Sequence, residues 1–435
     1  MSDVIEATKS ETAEVRVVEN VVCSFCGCLC DDIVVEVDDG GITRVRKACA
    51  NGRGFFTHYR PAPRQPSVNG QGVGWKEAVA EAAQILNAAD SPLIYGLSST
   101  VTEAQRKAVK LADRLGAMID TTSSVCHGPT GLAMQAVGEP TCTLGEVRNR
   151  ADLLVFWGCN PAVSHIRHSS RYSARSKGML TPNGRQDRTV VAVDVRPTAS
   201  TRTADIFLQV QPGADFDVLA ALRALVQGKE IAMETVGGVP ATQLSDLADR
   251  FKTCRFGVAF VGMGLTQSRG RDLNVSELFT LVADLNQYTR FSVIPMRGHG
   301  NVAGADQVLT WQAGYPFAVS FARGYPQYGP GEFSTVDVLA RGEADAALIL
   351  ASDPVAHFPR AAARQLEHIP TIVLDPMPSL TARVARVVFP TACYGVDAAG
   401  TVYRMDGVPL RLRPALPRAR PTDEEVLDQI IEAVM

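Results

Sequence analysis

Four cysteines near the start of the chain constrain its fold more than any other feature. Cys23, Cys26 and Cys30 follow the spacing C-x-x-C-x-x-x-C, and Cys49 comes shortly after them. Thiolates at such spacing converge on one soft metal centre. We therefore expect the four side chains to be metal ligands in a protein that handles electrons.

Two alternatives to an iron–sulfur cluster remain open from the spacing alone. The same four thiolates suit a structural zinc ion, which is tetrahedral and redox-silent. They could also be four buried cysteines that bind no metal. A fifth cysteine, Cys28, lies inside the run. It could be a spare thiol on a tight loop, or it could replace a neighbouring ligand.

The cysteines lie on a predicted small β module over residues 20–62. The β-branched runs Asp32–Val37 and Ile42–Val45 flank Asp-Gly-Gly, which is a hairpin signal. Residues 1–19 are polar and acidic and lack the basic start and apolar centre of a secretory signal. We interpret them as a flexible leader.

Residues 63–435 alternate short apolar runs with helical periodicity, which predicts interleaved α/β domains with mainly parallel sheets. The strand candidates are Pro92–Gly96, Leu153–Trp157, Val190–Val195, Gly257–Val261, Ala346–Leu350 and Thr371–Leu374. The helix candidates are Lys76–Asn87, Thr102–Leu115, Asp215–Val226, Ser276–Leu285 and Pro359–Leu366.

Composition excludes several classes of partner. The chain has 435 residues, of which 46% are hydrophobic and 20% charged, with a net charge of -3. This balance is ordinary for a globular protein and gives no basic field for nucleic acid. The sequence holds no apolar run long enough for a transmembrane helix. We expect a cytoplasmic protein that does not act at a membrane, in which cysteines bind metals rather than form disulfides.

A second motif is the loop Ser124–Pro129, which contains Cys126 and His127. It follows an apolar run, and ligands bind at the carboxyl ends of parallel strands. Cys126 could ligate a transition metal or act as a nucleophile, with His127 as its acid–base partner. A buried loop cysteine beside a hydrogen-bonded histidine is the more ordinary explanation.

Several further loops follow predicted strands. Trp157–Pro161, Asp194–Thr198 and Gly262–Gly264 place Gly, Asn, Asp or Arg just after apolar runs. Such residues hold phosphate and ribose, so together they suggest a large nucleotide-like ligand. Ordinary strand-to-helix turns explain each loop singly. In the loop Pro295–Asn301, Arg297 and His299 could face a reactive centre or lie on the surface.

Taken together, these motifs resemble the molybdopterin oxidoreductases of the dimethyl sulfoxide reductase type. The chain is more closely similar to the B subunits of formylmethanofuran dehydrogenases, over about residues 20 to 415. The matching runs are Val21–Cys23, Cys30–Asp32, Ser124–Pro129, Trp157–His168, Ser169–Tyr172, Val193–Arg196 with Thr198, Pro212–Asp215 and Gly400–Gly407.

The resemblance implies a role for each matching residue. Cys126 stands where the family has its tungsten or molybdenum ligand, and His127 and Arg297 stand beside the metal, where formate and CO2 are handled. The four-cysteine set matches the [4Fe-4S] ligands. The residues that match loops holding two pterin guanine dinucleotides are Gly158, Asn160, Asp194, Arg196, Gly213 and Asp215.

The resemblance also implies an activity and partners. The family interconverts CO2 and formate at the metal, and another subunit couples formate to a furan-linked amine. Partners would be the other subunits, with formate and the furan carrier reached through the complex. Larger relatives add a C-terminal barrel over the pterins, which we expect this chain to lack.

Two other functions remain open. In bacterial formyltransferase/hydrolase complexes, which release formate during formaldehyde oxidation, the B subunit can be a scaffold without metal chemistry. The preference for arginine over lysine argues against a hyperthermophile source. All the expected ligand cysteines are present, which argues against complete loss of the metal sites. A stand-alone formate dehydrogenase is disfavoured by the expected lack of the barrel and by the motif Tyr403–Gly407.

Overall fold

A computed structural model describes residues 15–39, 41–60 and 65–434 of the chain. Most of the predicted leader and residues 61–64, which include the end of the predicted β module, lie outside these ranges. The first strand begins at Arg16, so residues 16–19 of the predicted leader belong to a strand. None of the described helices is both long and apolar enough to cross a membrane.

The described residues form strands and helices that alternate along most of the chain. The strands are β1 Arg16–Val21, β2 Ile33–Asp38, β3 Gly41–Arg46, β4 Ser67–Val68, β5 Gln71–Gly72, β6 Pro92–Gly96, β7 Met118–Thr121, β8 Leu153–Trp157, β9 Thr189–Asp194, β10 Ile206–Gln209, β11 Thr235–Val236, β12 Val239–Pro240, β13 Phe256–Val261, β14 Arg290–Pro295, β15 Val319–Ser320, β16 Gln327–Tyr328, β17 Ala346–Leu350, β18 Thr371–Leu374, β19 Val387–Phe389, β20 Gly400–Tyr403 and β21 Pro409–Leu412. The helices are α1 Ala50–His58, α2 Trp75–Ala88, α3 Thr102–Leu115, α4 Gly128–Val137, α5 Leu144–Arg150, α6 Pro161–Ser164, α7 His168–Arg171, α8 Asp215–Val226, α9 Ala241–Thr253, α10 Met263–Thr266, α11 Asp272–Leu285, α12 Val302–Ala313, α13 Thr335–Arg341, α14 Pro354–His357, α15 Arg360–His368, α16 Leu380–Val384 and α17 Asp423–Ala433. Short 3-10 turns cover Thr122–Val125, Gly184–Asp187 and Thr201–Thr203.

The predicted β module is present as a three-stranded antiparallel sheet. Its order is β1-β2-β3, and β2 and β3 form the predicted hairpin. Ile33, Val35 and Val37 are buried and join the main hydrophobic core. The module therefore packs onto the rest of the protein through one face of its central strand.

Two larger sheets carry the α/β part of the chain. One has five parallel strands in the order β10-β9-β8-β13-β14. The other has nine strands, of which the central five, β7-β6-β17-β18-β19, are parallel. The predicted fold class, α/β with mainly parallel sheets after a small β module, is confirmed.

The five-stranded sheet is buried on both faces. Leu153, Val155 and Trp157 of β8 pack into the core formed with α8, α9 and α11. The alternate residues Leu154 and Phe156 join the core shared with the β module and the nine-stranded sheet. This two-residue alternation is why a continuous apolar run forms a central strand.

The chain leaves the nine-stranded sheet and later returns to it. Strands β4 to β7 come first, the whole five-stranded sheet is formed next, and β15 to β19 then complete the larger sheet. Loops after parallel strands of both sheets can therefore meet at one crevice. Such crevices outside the carboxyl ends of strands are where α/β proteins bind ligands.

Candidate metal and nucleotide site

The predicted cysteine ligands line one narrow space, here called the thiol cavity. Its sulfur-bearing residues are Cys23, Cys26, Cys28, Cys30 and Cys49. A hydrogen bond of 2.9 Å from the Cys23 amide to the Cys30 carbonyl closes the loop that carries four of them. All ten cysteines of the chain are free thiols, so none of the five is held in a disulfide.

The thiol of Cys49 reaches the cavity from a helix, whereas the other four belong to the cysteine loop. Cys49 is the N-cap of α1, and the Gly52 amide donates to its sulfur at 3.4 Å. A Cβ on Gly52 would lie 2.9 Å from the sulfur of Cys23. Glycine at this position therefore lets the helix approach the cysteine loop closely.

Burial makes the thiol cavity an unfavourable place for thiolates without a bound cation. It raises the pKa of Cys30 to about 12, although the nearby Arg167 opposes this. It also raises the pKa of Cys23 well above the ordinary range. The interaction between the neighbouring thiols of Cys26 and Cys28 lowers the pKa of Cys26 and, together with burial, raises that of Cys28. A bound metal centre would supply the missing positive charge.

The thiols surround one space without meeting at a single point. Within the part of the chain that the structure describes, no three His, Cys, Asp or Glu side chains converge on one metal-ion position. Structural zinc requires four ligands at about 2.3 Å from one point, whereas an iron–sulfur cluster distributes its thiolates over several iron atoms.

Backbone contacts join the cysteine loop to the loop after β14. The Gly27 amide donates to the Gly298 carbonyl at 3.2 Å. A Cβ on Gly27 would lie 2.4 Å from the Arg297 carbonyl oxygen, and one on Gly300 would lie 2.0 Å from that of Ser24. Only glycine allows this approach, so the thiol cavity and the Arg297 loop form a continuous structure.

Cys126 lies at the junction of the two large sheets. It follows the 3-10 turn after β7, in the nine-stranded sheet. Its carbonyl accepts from the hydroxyl of Thr266 at 3.0 Å and from the side-chain amide of Gln267 at 2.9 Å. Both donors follow β13 of the five-stranded sheet. Burial raises the pKa of Cys126 to about 11, and Arg297 partly opposes this.

His127 is buried and neutral. Burial, and secondly the charge of Arg297, lowers the pKa of His127 to about 3. Its Nδ1 forms a hydrogen bond of 3.1 Å with the Thr130 hydroxyl. Its Nε2 is buried and has no hydrogen-bond partner among the described residues. A buried ring nitrogen without a partner, next to a buried thiol, fits a site that receives a further polar group.

Arg297 is held rigidly beside Cys126. Its Nη1 donates to Asp306 at 2.6 Å and to the Ser123 hydroxyl at 3.0 Å. Asp306 also accepts from Thr121 at 2.9 Å. The Nε2 of His165 donates to the Arg297 carbonyl at 2.8 Å. Both ends of Arg297 are thus fixed by neighbours that sequence reasoning did not select.

An open cavity of about 450 Å³, here called the Arg297 cavity, reaches this guanidinium. Its lining includes Asp306, Glu139 and Trp311, together with the motif residues Met405–Gly407. Burial raises the pKa of Glu139 to about 7, although Arg297 opposes the shift. The cavity thus offers a cation and a carboxyl group that titrates near neutrality.

The first predicted nucleotide loops follow β8 and β9. Gly158 has a φ of 59°, and a Cβ there would lie 2.5 Å from the Leu265 amide nitrogen. Asn160 accepts from the amide and hydroxyl of Ser200 at 3.1 and 2.7 Å, which ties the two loops together. Asp194 ends β9, and Arg196 is exposed beyond it. These residues are brought together at one sheet edge.

Gly213 and Asp215 lie in the turn that begins α8. Gly213 has a φ of 82°, which favours glycine. Asp215 is buried and accepts from the indole of Trp157 at 2.9 Å. Burial raises the pKa of Asp215. This carboxylate therefore fastens α8 to β8, a contact that the sequence pattern did not indicate.

A second set of loops repeats the geometry of the first one and was missed by sequence reasoning. After β17, Ala351 adopts a φ of 48°, and Asp353 precedes a short helix that begins with proline, as Asn160 does. Asp353 accepts from the Thr381 amide at 2.8 Å and hydroxyl at 2.7 Å. The repeated signal is a buried strand followed by Gly-Cys-Asn-Pro or by Ala-Ser-Asp-Pro.

The chain is similar to known proteins over most of its length. Residues 59–418 match the molybdopterin oxidoreductase family. The B subunit of tungsten-containing formylmethanofuran dehydrogenase 2 from Methanocaldococcus jannaschii is 46% identical over 97% of this chain and 99% of its own length. The B subunit of the formyltransferase/hydrolase complex Fhc from Methylorubrum extorquens is 29% identical over 66% of this chain and 74% of its own length.

Two solved structures share the fold. The Methylorubrum extorquens formyltransferase/hydrolase complex, determined with methylofuran, matches with a TM-score of 0.70 and 27% identity, over 84% of this chain and 98% of that chain. Acetylene hydratase from Pelobacter acetylenicus matches with a TM-score of 0.70 and 14% identity, over 95% of this chain and 69% of that chain. At that identity, the second match concerns the fold alone.

Proposed function

The chain belongs to the molybdopterin oxidoreductases and, within them, to the B subunits of formylmethanofuran dehydrogenases, and we propose that it interconverts CO2 and formate within such a complex. Oxidation of one formate releases CO2, two electrons and one proton. Another subunit of the complex would exchange formate with a furan-type carrier. A pterin-bound metal and a [4Fe-4S] cluster would supply the two-electron and one-electron chemistry when bound.

We expect different residues of this chain to bind the metal, the formate and the cluster at the crevice. Cys126 would ligate the tungsten or molybdenum. Arg297, fixed by Asp306, would hold the carboxylate of formate, and neutral His127 would present its unpartnered Nε2 to the reacting groups. Cys23, Cys26, Cys30 and Cys49 would ligate the [4Fe-4S] cluster.

The nucleotide loops would hold two pterin guanine dinucleotides, one at each sheet. Gly158, Asn160, Asp194, Arg196, Gly213 and Asp215 would form the first half-site, with Asp215 acting through its contact with Trp157. The loop Ala351–Asp353 would belong to the second half-site. Both sets follow parallel strands and open toward the same crevice.

One observation favours the proposed redox function over a purely structural role for this chain. The thiol cavity and the Arg297 loop are in backbone contact through Gly27 and Gly298. A cluster in that cavity would therefore lie next to the residues that surround Cys126. Such an arrangement suits electron transfer between two centres.

Metal analysis of the anaerobically purified complex tests the proposal. We expect tungsten or molybdenum and about four iron atoms per copy of this chain. Iron and the pterin metal should be present together, because a cluster has a use here only if the catalytic metal is bound. Absence of both elements would remove the redox function.

The similarity to the Fhc complex supports a second candidate function. The Methylorubrum extorquens structure covers 84% of this chain. In that case the chain would be a structural subunit of a formyltransferase/hydrolase complex with empty sites. The second candidate predicts an assembled, formate-releasing complex that contains neither iron nor a pterin metal.

Replacing Arg297 should distinguish its role in stabilising the fold from its proposed role in binding formate. Arg297→Gln leaves Asp306 as a buried, unpaired charge, which costs about 3–5 kcal/mol in the free energy of unfolding. Loss of the carboxylate-binding cation should also lower kcat/KM for formate by about 100-fold or more. Thermal unfolding and formate kinetics measure the two effects.

The double variant Arg297→Gln/Asp306→Asn is the matched control. It removes both buried charges, so the thermal stability should recover while kcat/KM stays low. Recovery of activity together with stability would mean that Arg297 only stabilises the fold.

A further inference from the structure

The carboxyl groups that line the Arg297 cavity differ in their partners. Asp306 is paired with Arg297 at 2.6 Å, and Asp406 is paired with Arg404 at 2.7 Å. Both carboxylates also accept further hydrogen bonds. Glu139 lines the same cavity and forms no ion pair with any residue that the structure describes. Its carboxyl group is therefore the one along the described cavity wall that can exchange a proton without breaking an ion pair.

Two backbone contacts hold the segment of Glu139 against the strand that leads to Arg297. The Val293 amide of β14 donates to the Pro140 carbonyl at 2.8 Å, and the Thr141 hydroxyl donates to the Val293 carbonyl at 2.8 Å. Pro140 directly follows Glu139, so these bonds fix the place of Glu139 beside β14. Both Glu139 and Arg297 consequently line one cavity.

The other end of the segment leads to the proposed metal site. Helix α4 begins just after His127 and ends just before Gly138, whose φ of 76° terminates it. Its 10 residues span about 15 Å, so Glu139 and Cys126 lie at opposite ends of one helix. The cavity between them has a volume of about 450 Å³, which is room for a chain of water molecules. Trp311, which is 58% exposed, lines its open side.

We propose that Glu139 is a proton-transfer residue, which takes up the proton released when formate is oxidised and passes it through the Arg297 cavity to solvent. The inference rests on the proposed interconversion of CO2 and formate. In oxidation, the C–H bond of formate breaks and CO2 leaves. The two electrons go to the pterin-bound metal proposed above, and the proton goes through water to the Glu139 carboxylate. In CO2 reduction, the protonated carboxyl group returns the proton.

The charges around the cavity suit Glu139 to this task at neutral pH. Burial raises its pKa to about 7, although the charge of Arg297 opposes the shift. Asp306 and Asp406, on other elements, already have arginine partners. The nearby Cys142 stays a neutral thiol, because burial raises its pKa to about 12. A group whose pKa lies near the working pH both accepts and releases a proton readily.

Formate kinetics of Glu139→Gln in the anaerobically purified complex test this proposal. In weak buffer, kcat for formate oxidation should fall by about 100-fold. KM for formate should stay unchanged, because Arg297 still binds the substrate. Imidazole, a small diffusible base, should restore part of kcat. Glu139→Asp keeps a carboxyl group and should keep most of the activity.

The pH profile gives a second kinetic test. Oxidation requires the ionised carboxylate, so kcat of the wild type should rise as the pH increases through about 7. This rise should be absent in Glu139→Gln. Infrared difference spectra between the two proteins add a readout that is independent of activity. The carboxylic acid band that the variant lacks should titrate near pH 7.

Glu230→Gln is the matched control, because it makes the same chemical change at an exposed position after α8. Its kinetics should equal those of the wild type. An unchanged kcat and pH profile in Glu139→Gln, with an active wild type, would overturn this inference alone. A loss of activity that imidazole does not restore would overturn it too, because Glu139 would then only support the fold. A wild-type complex that does not oxidise formate would overturn the proposed function as well.

Discussion

Cys126→Ala should abolish interconversion of CO2 and formate while the complex still assembles. Losing a group that merely orients a metal ligand costs about 10–100-fold. Losing the ligand itself should therefore cost more than about 100-fold in kcat for formate oxidation, measured with an artificial electron acceptor. The tungsten or molybdenum content should fall with it. The variant should fold, because the site's main hydrogen bonds to this residue use its backbone carbonyl.

Two control measurements show whether the loss of activity is specific to Cys126. Cys254→Ala removes a thiol at the other edge of the five-stranded sheet and should keep full activity. Hydrolysis of the formylated carrier, which the proposal assigns to another subunit, should continue in Cys126→Ala. If formate oxidation also continued unchanged, Cys126 would not be the metal ligand.

Cys23→Ala and Cys49→Ala should each lose the cluster. Both sulfurs lie next to Gly52, one from the cysteine loop and one from the start of α1, so each variant removes a ligand from a different element. Iron should fall from about four atoms per chain toward zero, and the electron paramagnetic resonance signal of the reduced cluster should disappear. Electron delivery to a protein acceptor should stop.

Zinc analysis of the same samples completes the test. Wild-type protein with one zinc and no iron would identify the thiol cavity as a structural metal site. Retention of iron in both variants would mean that other sulfurs bind the cluster. Cys254→Ala again serves as the unaffected thiol variant.

Local patterns predicted the elements well where local forces determine them. The helix Thr102–Leu115 has the predicted bounds, since Gly116 with a φ of 64° ends it and an apolar stripe faces the core. The strand Leu153–Trp157 has its predicted bounds for a similar reason: a run buried on both faces is continuous in sequence.

The site residues that the sequence did not predict depend on contacts between segments far apart in the chain. Asp306 lies within α12, where nothing nearby marks it as the partner of Arg297. Ala351 occupies the left-handed conformation that glycine has at Gly158, so the second half-site carried no glycine signal. His165 follows β8 and reaches the Arg297 carbonyl because β14, which precedes Arg297, lies in the same sheet with only β13 between them.

The order of strands in the larger sheet has a consequence for biosynthesis. Strand β17 lies between β6 and β18, yet it is translated only after the entire five-stranded sheet. Until β17 has been synthesised, one edge of β6 has backbone N–H and C=O groups without strand partners. Such an edge can pair with a wrong strand. The crevice is complete only when that last insertion has occurred. Any ligand that needs loops from both large sheets can therefore bind only after β17 to β19 have been made.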